Sequence, residues 1–541
     1  MTAKILACGV AVVVIGGACT TATTPTPTPV PTISVTATPT DPGESALPTA
    51  VPATPDPTVT PSETPTETPD PTAAPQAVEM PFVPVVSFWS TRVSMPLDEV
   101  RNALAGSSSR YSRVIVGSAD ADALGASASV ERGSVQEVIA AVKEGALGFL
   151  RATDAVPAVR ALGIGGVNLF GNDRTRDIAD WPLVAVVSAA GPWRQEASWT
   201  LVAAGDIMGD RGVREAYESN GGPEYLFNGG TSEVVRLRCC SFYNYTYPVV
   251  RRTGNAGLVR QMFQDADFAM ANLETGVLEN PPHRERGFTF VTEPEVLAVL
   301  QRGGIDFLSN ANNHSKNGGA RGLSTAIETL DELGILHAGA GVGESEAAKP
   351  AITEVDGVKL AIISCDAIAR YYWAKPGKLG TNSCKEGSVT QTIHEIRDSV
   401  DVIIVFPHWG IEYELPAAYQ FRLSREWIDA GADMIIGAHN HFPGGIYEYN
   451  GHVSMLSMGN FMFDQDFRQT TLQGLVVETT WNVNQLLQIW VHPLLNVDAQ
   501  PNFADPATDG QWAFDIMKWQ SKPGKLDWGG TQPNFTSYPM R

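Results

Sequence analysis

Five stretches of this 541-residue chain share one pattern, in which a short apolar run is followed at once by polar or charged side chains. The apolar runs have the length of buried strands. Open α/β sheets place their sites at the carboxyl ends of strands, so the pattern predicts that these polar side chains meet at one sheet edge. The polar groups are Gly205-Asp206, Asn272-Leu273-Glu274, Asn310-Ala-Asn312-Asn313-His314, His408-Trp409-Gly410 and Gly437-Ala-His439-Asn-His441.

Amphipathic segments of helical length separate the five junctions. They cover residues 257–265, 293–302, 319–333 and 419–430. Alternation of strand, helix and strand predicts a layered α/β core, which we place at 198–493. The residues from 494 to 541 are rich in Pro, Gly and aromatic residues, and we expect them to pack as an extension of that core.

The amino terminus predicts export. Lys4 precedes an apolar run that is too short to span a bilayer, so 1–18 has the order of a secretory signal peptide. Gly16-Gly17-Ala18-Cys19 resembles a lipoprotein cleavage box, although Gly16 stands where Leu is usual. Lipidation of Cys19 would anchor the protein at the outer face of the bacterial cytoplasmic membrane, and the alternatives are a secreted protein or an uncleaved anchor. Residues 19–76 are dominated by Pro and Thr, a composition typical of a disordered, extended tether.

Charge and cysteine content limit the partners and the compartment. The formal net charge of −21 argues against nucleic acid, which requires a basic surface. Cys239, Cys240, Cys365 and Cys384 lie in the folded part, and an even count in an exported chain permits disulfides. Because adjacent cysteines are poor partners, we expect bridges from the first pair to the other two. A thiolate metal site is the weaker alternative, since no C-x-x-C spacing occurs.

A smaller α/β domain is predicted at 77–190. Residues 81–88 and 111–116 have strand character, and 97–104 and 135–147 have helical spacing. Three segments together, Val83-Pro84-Val85-Val86, Gly145-Ala-Leu-Gly-Phe-Leu and Val159-Arg-Ala-Leu, resemble periplasmic solute-binding proteins of the phosphate-binding kind. The alternative is a docking domain without a ligand of its own.

The two histidines of His439-Asn-His441 are the strongest single indication of a metal site. Side chains at i and i+2 point the same way in an extended backbone, so both imidazoles could reach one metal centre. An Asn carbonyl such as that of Asn313 can bind a hard cation while the neighbouring His314 remains free to transfer protons.

Asp206 and Glu274 are the candidate carboxylate ligands. Two metal ions held about 3.5–4 Å apart require an anionic ligand, preferably one that bridges them. Arg211 follows Asp206 by five residues and could bind a phosphate or carboxylate through its planar guanidinium. A salt bridge is the competing interpretation of Arg211.

These residues occur in the order found in the capsule-biosynthesis CapA family, which the chain resembles. The motifs that carry the resemblance are Gly205-Asp206-Ile-Met with Arg211-Gly212, Asn272-Leu273-Glu274, Ala311-Asn312-Asn313-His314, His408-Trp409-Gly410 with Glu412-Tyr413, Gly437-Ala-His439-Asn-His441 and Gly459-Asn460-Phe461 with Phe463-Asp464-Gln465. The resemblance implies a calcineurin-like metallophosphoesterase fold, a layered β-sandwich with flanking helices, and a role in poly-γ-glutamate synthesis or export. It does not extend to the tether, the first domain or the tail.

The resemblance also implies a role for each motif residue. Asp206 and His441 would hold one divalent metal ion, Asn313, His408 and His439 a second, and Glu274 would bridge the two. His314 would be the general acid, with Arg211 binding the substrate. The substrate-binding positions implied are Asn272, Asn312, Trp409, Tyr413 and Asn460. Ligands of these types do not distinguish Mn, Zn, Fe and Mg.

The sequence departs from the family pattern at three places. Gly209-Asp210 stands where Leu-Gly is usual, and Asn440 replaces a Pro between the last two histidines. Phosphoesterases generally have Asp-x-His at the first motif, whereas this chain has Met208 at the third position. The first metal site therefore lacks one histidine, which weakens it or reduces the centre to one ion.

The function predicted is that of an exported, membrane-tethered, phosphoesterase-type enzyme in capsule or cell-envelope polymer assembly. Its substrate would be a phosphate ester or an anionic polymer, and its partners membrane subunits of capsule synthesis. Two alternatives remain open. One is a non-catalytic, metal-containing subunit that binds an anionic polymer, and the other makes the first domain a solute sensor that regulates the second.

Overall fold

The computed structural model describes residues 75–283, 285–385 and 387–521. The predicted signal peptide, Cys19, almost all of the tether and the last twenty residues of the tail lie outside the described residues. Within the described residues, no helix has the length and apolar character needed to cross a bilayer.

The first part of the described chain forms a sheet of its own. Strands β1, β3, β4, β5 and β6 are ordered β4-β3-β5-β1-β6, with β8 also paired to β1, and β2 pairs with β7. The helix predicted at 97–104 is observed as α1, whereas the helix predicted at 135–147 ends at Lys143 and Leu147 begins β5. Helix α2 is held by a capping box in which Ser134 and Glu137 satisfy each other's backbone nitrogens. The elements are β1 (Gln76–Ser87), β2 (Ser94–Met95), α1 (Leu97–Leu104), β3 (Val114–Gly117), β4 (Glu131–Gly133), α2 (Val135–Lys143), β5 (Leu147–Arg151), β6 (Val159–Ala161), β7 (Gly163–Ile164) and β8 (Val184–Ala189).

Two large sheets are built from residues 198–504, which also contain two separate pairs of short strands, Gly276–Val277 with Val291–Thr292 and Ala340–Val342 with Leu379–Thr381. One has ten strands in the order β11-β10-β28-β27-β26-β9-β12-β15-β16 with β25 beside β9, and the other has six in the order β18-β19-β21-β22-β24-β23. The strands are β9 (Ser198–Ile207), β10 (Thr231–Arg238), β11 (Tyr247–Gly254), β12 (Phe268–Leu273), β13 (Gly276–Val277), β14 (Val291–Thr292), β15 (Phe307–Ser309), β16 (Leu336–Ala338), β17 (Ala340–Val342), β18 (Ala351–Val355), β19 (Val358–Asp366), β20 (Leu379–Thr381), β21 (Val402–His408), β22 (Met434–Ile436), β23 (Ile446–Tyr449), β24 (His452–Met455), β25 (Asn460–Met462), β26 (Gln473–Asn482), β27 (Gln485–Val497) and β28 (Gln500–Ala504). The helices are α3 (Arg211–Ser219), α4 (Leu258–Gln264), α5 (Pro294–Arg302), α6 (Gly319–Leu333), α7 (Glu344–Ala347), α8 (Ser388–Ile396), α9 (Ala418–Ala430), α10 (Gln469–Leu472) and α11 (Gln511–Gln520).

The two sheets face each other, and helices cover their outer sides. Leu201 of β9 lies in an apolar core shared with Ile362 of β19, whereas the next residue on each strand points outward. Val202 packs with residues of α4, α5 and α6, and Ile363 packs with residues of α8 and α9. Because the strands are buried on both faces, they read as continuous apolar runs in the sequence. The predicted layered α/β sandwich with flanking helices is confirmed.

The end of the chain is continuous with this sandwich. Strand β27 crosses the boundary predicted at residue 493, and α11 packs into the core between the sheets through Phe514 and Met517.

The predicted disulfide pairing is wrong. Cys365 bonds to Cys384, and Cys239 bonds to Cys240. Cys365 and Cys384 are buried together beneath α8 and α9, with their Cα atoms 4.9 Å apart. Cys239 and Cys240 are exposed in the loop that joins β10 to β11, so they cannot reach the buried pair.

Candidate metal centre

The structure brings the six predicted metal ligands into one cluster at the carboxyl ends of the parallel strands. The three oxygen ligands come from the ten-stranded sheet and the three imidazoles from the six-stranded sheet. Asp206 lies at the end of β9, Glu274 after β12, Asn313 after β15, His408 at the end of β21, and His439 and His441 after β22. The cluster therefore depends on the packing of one sheet against the other.

Glu274, His408 and His439 form one group of candidate ligands, with ligand atoms that all lie within 4.8 Å of one another. Nε2 of His408 is 3.0 Å from Nδ1 of His439 and 3.6 Å from Oε1 of Glu274. The side-chain oxygen of Asn313 lies 2.7 Å from the same Nε2 atom. These four side chains could surround a single cation.

Asp206, Glu274 and His441 form a second group that meets the same 4.8 Å limit. Oδ2 of Asp206 is 3.7 Å from Nδ1 of His441, and Oε1 of Glu274 is 4.0 Å from Nε2. Met208, which stands at the missing histidine position, is buried, and its sulfur accepts a hydrogen bond from the backbone nitrogen of Asp210. Glu274 belongs to both groups, as a bridging ligand would.

The chemistry of Glu274 fits a bound cation. Its side chain is fully buried, and no N–H or hydroxyl group of the described residues donates to either carboxylate oxygen, so the Asp206 carboxyl is its close polar neighbour. Burial and the nearby Asp206 carboxyl raise the pKa of Glu274 well above its ordinary value, and burial raises the pKa of Asp206 to about 7. Burying two such carboxyls side by side is costly unless a cation compensates them.

The three imidazoles fit the same conclusion. Burial lowers the pKa of His408 and His439 well below the usual value, and that of His441 to about 3. The imidazoles are thus neutral near pH 7 and each keeps a lone pair for a metal ion. Two carboxyls, one amide oxygen and three neutral imidazoles suit Mn, Zn, Fe or Mg.

The backbone at His439-Asn-His441 is not extended, so the local geometry predicted for this motif is wrong. His439 has a φ of 101° and His441 a φ of 61°, values that residues other than glycine rarely adopt. Oδ2 of Asp206 accepts a hydrogen bond from the backbone nitrogen of His439 (3.2 Å), which holds the turn against the cluster. Both imidazoles reach the cluster through this turn, and the strain is concentrated at the candidate site.

Three asparagines orient the cluster. Asn272 donates to Oδ1 of Asp206 (2.8 Å), and Asn312 donates to the side-chain oxygen of Asn272 (3.1 Å). Oδ1 of Asn460 lies 2.9 Å from Nδ1 of His441, which leaves Nε2 of that ring available as a ligand atom. All three are buried and hydrogen-bonded inside the protein. The structure therefore supports an orienting role, while their predicted contact with substrate stays a prediction.

His314 lies beside the cluster, with Nε2 3.8 Å from Oε1 of Glu274. Its ring stacks on Phe290 at a centroid distance of 4.1 Å, and burial lowers its pKa to about 4. Sequence reasoning missed two residues that hold it. Asn317 contacts Nδ1 of His314, and the hydroxyl of Tyr372 accepts a hydrogen bond from Asn317 (3.2 Å). The spacing of three residues between His314 and Asn317 in a turn was a usable signal, whereas nothing local indicates Tyr372.

The other predicted site residues occupy different surroundings. Arg211 forms an ion pair with Asp464, and its guanidinium lies 4.5 Å from the ring of Phe290. Trp409 is fully buried, where it stacks on Trp427, so it is a core residue. Tyr413 stacks on His441 with ring centroids 5.7 Å apart. Of these three, Tyr413 contacts a candidate metal ligand directly.

A layered α/β fold whose two sheets deliver six candidate ligands to one point defines the class of protein: an α/β sandwich with a candidate divalent-metal centre. The family follows from a sequence comparison. The profile of the bacterial capsule synthesis protein family PGA_cap matches residues 200–465, which contain all six ligands, and this part of the chain belongs to that capsule-biosynthesis CapA family.

Two relatives illustrate the relationship. The PGA biosynthesis protein CapA of Bacillus subtilis (strain 168) is 31% identical over 223 residues, which cover 40% of this chain and 59% of that protein. The capsule biosynthesis protein CapA of Bacillus anthracis is 26% identical over 317 residues, covering 54% of this chain and 70% of that protein. The chain thus spans less than two thirds of the first relative.

Among solved structures, the chain is similar to the calcineurin-like phosphoesterase YfkN from Bacillus subtilis. The identity is 14% and the TM-score 0.31, over 60% of this chain and 98% of that chain. A likeness of this size adds nothing to the assignment of function.

Proposed function

We propose that this protein is a metal-dependent, phosphoesterase-type hydrolase that acts on a phosphate ester during capsule or cell-envelope polymer synthesis. One observation carries the proposal. The buried carboxyl of Glu274 receives no hydrogen bond from an N–H or hydroxyl group of the described residues and belongs to both groups of candidate ligands. A pair of divalent ions would compensate this charge, and two ions sharing one carboxylate suit the hydrolysis of phosphate esters.

Each part of the site has a defined task in this proposal. The six ligands would hold the ions, which when bound would offset negative charge on the phosphoryl group and make water more acidic. His314 would give a proton to the leaving oxygen through Nε2, the ring atom that faces Glu274. Burial lowers the pKa of His314 to about 4 and so keeps the ring neutral, and an anionic phosphate bound beside it would raise the pKa again.

The test is hydrolysis of p-nitrophenyl phosphate and bis(p-nitrophenyl) phosphate by the purified protein, after removal of metal and reloading with Mn²⁺, Zn²⁺, Fe²⁺ or Mg²⁺. We expect turnover with at least one ion. His314→Ala should lower it by about 10²–10⁴-fold, the usual contribution of a general acid, with metal content unchanged. His337→Ala is the matched control, because that histidine lies outside the cluster and contacts Asp331 instead. Binding of phosphate without turnover would support a non-catalytic metal-containing subunit that holds an anionic polymer.

The envelope role rests on family membership and on the amino-terminal sequence. We propose that the protein is exported and anchored through a lipid on Cys19 at the outer face of the cytoplasmic membrane, where it works with membrane subunits of capsule synthesis. Labelling of cells with a radioactive fatty acid tests the anchor. Wild-type protein should carry the label and sediment with membranes, while Cys19→Ser should do neither.

A further inference from the structure

Among the described residues, Arg468 has no acidic partner, although the protein as a whole is strongly acidic. The chain has 59 Asp and Glu residues against 38 Lys and Arg. Arg211, also near the candidate metal centre, forms an ion pair with Asp464. For Arg468, no carboxylate of the described residues lies within ion-pair distance. Its Nε atom donates to Oγ1 of Thr470 (2.7 Å), which leaves the two terminal nitrogens of the guanidinium without a protein acceptor in the described part of the chain.

Aromatic rings enclose this guanidinium. Its Cζ atom lies 5.2 Å from the ring centroid of Tyr245 and 5.5 Å from that of Tyr413. The neighbouring Phe467 ring contacts Tyr243 at 5.0 Å and Tyr413 at 6.1 Å. The rings remove water from the cation, and this burial lowers the pKa of Arg468. Partial burial of a cation is costly unless an anion pairs with it. The terminal N–H groups of Arg468 are therefore available to an anionic ligand.

The same residues adjoin the metal-ligand cluster. The Tyr413 ring that contacts Arg468 also stacks on His441. The hydroxyl of Tyr413 accepts a hydrogen bond from Gln465 (2.9 Å), and Gln465 in turn accepts one from Asn460, the residue that orients His441. Arg468 is therefore one aromatic ring away from a candidate metal ligand.

We propose that Arg468, Tyr245 and Tyr413 form a subsite for a second oxyanion of the substrate, a carboxylate or a phosphate, beside the group that the metal centre holds. The proposal rests on the proposed function and narrows the substrate to molecules with two anionic groups. The planar guanidinium suits either oxyanion, since it can donate two parallel hydrogen bonds. The tyrosine rings would pack against the apolar atoms that separate the two anionic groups.

The test measures binding and needs no turnover. Full-length protein loaded with Mn²⁺ is titrated with alkylphosphonates, with ω-carboxyalkylphosphonates and with α,ω-bisphosphonates, each over a series of chain lengths. At the best length, we expect the second anionic group to tighten binding about tenfold, which corresponds to about 1.4 kcal/mol. Comparison of the gain in affinity for the carboxyalkylphosphonates with that for the bisphosphonates shows which oxyanion the subsite prefers.

Variants assign this gain to Arg468. In Arg468→Gln, the ratio of the dissociation constants for one and two anionic groups should fall to about one. Arg468→Lys keeps the charge without the planar fork and should give an intermediate ratio. Arg321→Gln, at an exposed position on α6, removes the same charge elsewhere and should leave the ratio unchanged.

The outcomes separate this inference from the proposed function. The subsite would be overturned if the second anionic group did not tighten binding to the wild-type protein. It would also be overturned if Arg468→Gln showed the same gain in affinity as the wild type. A preserved ratio in a protein that hydrolyses no phosphate ester would overturn the hydrolase and keep the subsite. Failure of every phosphonate to bind would overturn both.

Discussion

The side-chain oxygen of Asn317 lies 2.7 Å from Nδ1 of His314. The same oxygen accepts a hydrogen bond from the backbone nitrogen of Phe290, also at 2.7 Å, which identifies it as an acceptor. Nδ1 of His314 must then carry the hydrogen of the neutral ring. Nε2, the atom nearer Glu274, is left to exchange a proton with a substrate.

We expect Asn317→Leu to lower kcat by about 10–100-fold, the usual cost of losing a residue that orients a catalytic group. Metal content should not change, because Asn317 contacts none of the six candidate ligands in the structure. Tyr372→Phe removes one hydroxyl that Asn317 contacts and should have a smaller effect in the same direction. The measurement is steady-state kinetics with metal analysis of each variant.

A double variant makes this prediction specific. If Asn317 acts through His314, then Asn317→Leu should have no further effect once His314→Ala is present, because the two residues act as one unit. Fully additive losses would show that Asn317 stabilises the fold or the metal centre independently.

Removal of the shared ligand should weaken metal binding at both positions. Glu274→Gln keeps the size of the side chain and removes the charge that two ions would share, so we expect loss of most of the bound metal. Excess Mn²⁺ should raise the Tm of the wild-type protein, since a ligand that binds the native state stabilises it by mass action, and should not raise that of the variant. A Glu274→Gln protein that retains two ions per chain would contradict the bridging position.

Metal affinity should rise with pH through the neutral range. Burial raises the pKa of Asp206 to about 7 and that of Glu274 well above its ordinary value, so a cation that binds below pH 7 must displace protons from these carboxyls. The histidines are neutral throughout, because burial lowers the pKa of His441 to about 3 and the other two well below 6.5. Affinity should therefore increase as the pH rises towards and through 7.

Calorimetry in buffers of different ionisation enthalpy would measure this directly. At pH 6, we expect release of at least one proton for each protein molecule that binds metal. Absence of proton release at pH 6 would show that both carboxyls are already ionised in the metal-free protein.

The strand-end ligands could be predicted because their signal is local. Asp206 and His408 each end an apolar run, and the carboxyl ends of parallel strands must share an edge. The two histidines of the H-x-H motif lie in the cluster, as predicted. The prediction assumed an extended backbone, whereas the structure has a strained turn at these residues. That turn depends on a hydrogen bond to Asp206, which is 233 positions away in the chain.

The remaining features depend on contacts that sequence patterns do not record. Tyr372 reaches Asn317 across 55 positions, and Tyr245 meets Arg468 from the far end of an exposed hairpin. The disulfide pairing failed for the same reason. Only the fold shows that Cys365 and Cys384 share a buried pocket while Cys239 is exposed.

Loss of the Cys365–Cys384 bond should affect both stability and turnover. The bond closes a loop of 19 positions, and a loop of this size is worth about 3 kcal/mol of chain entropy in the unfolded state. We expect Cys365→Ala/Cys384→Ala to lower the free energy of unfolding in urea by about that amount. Because the closed loop carries Tyr372, kcat should also fall, as we expect for Tyr372→Phe.

Cys239→Ala/Cys240→Ala is the matched control, since its bond joins adjacent exposed residues and closes almost no loop. Equal losses in both double variants would show that cysteine removal, rather than closure of the Tyr372 loop, causes the effect.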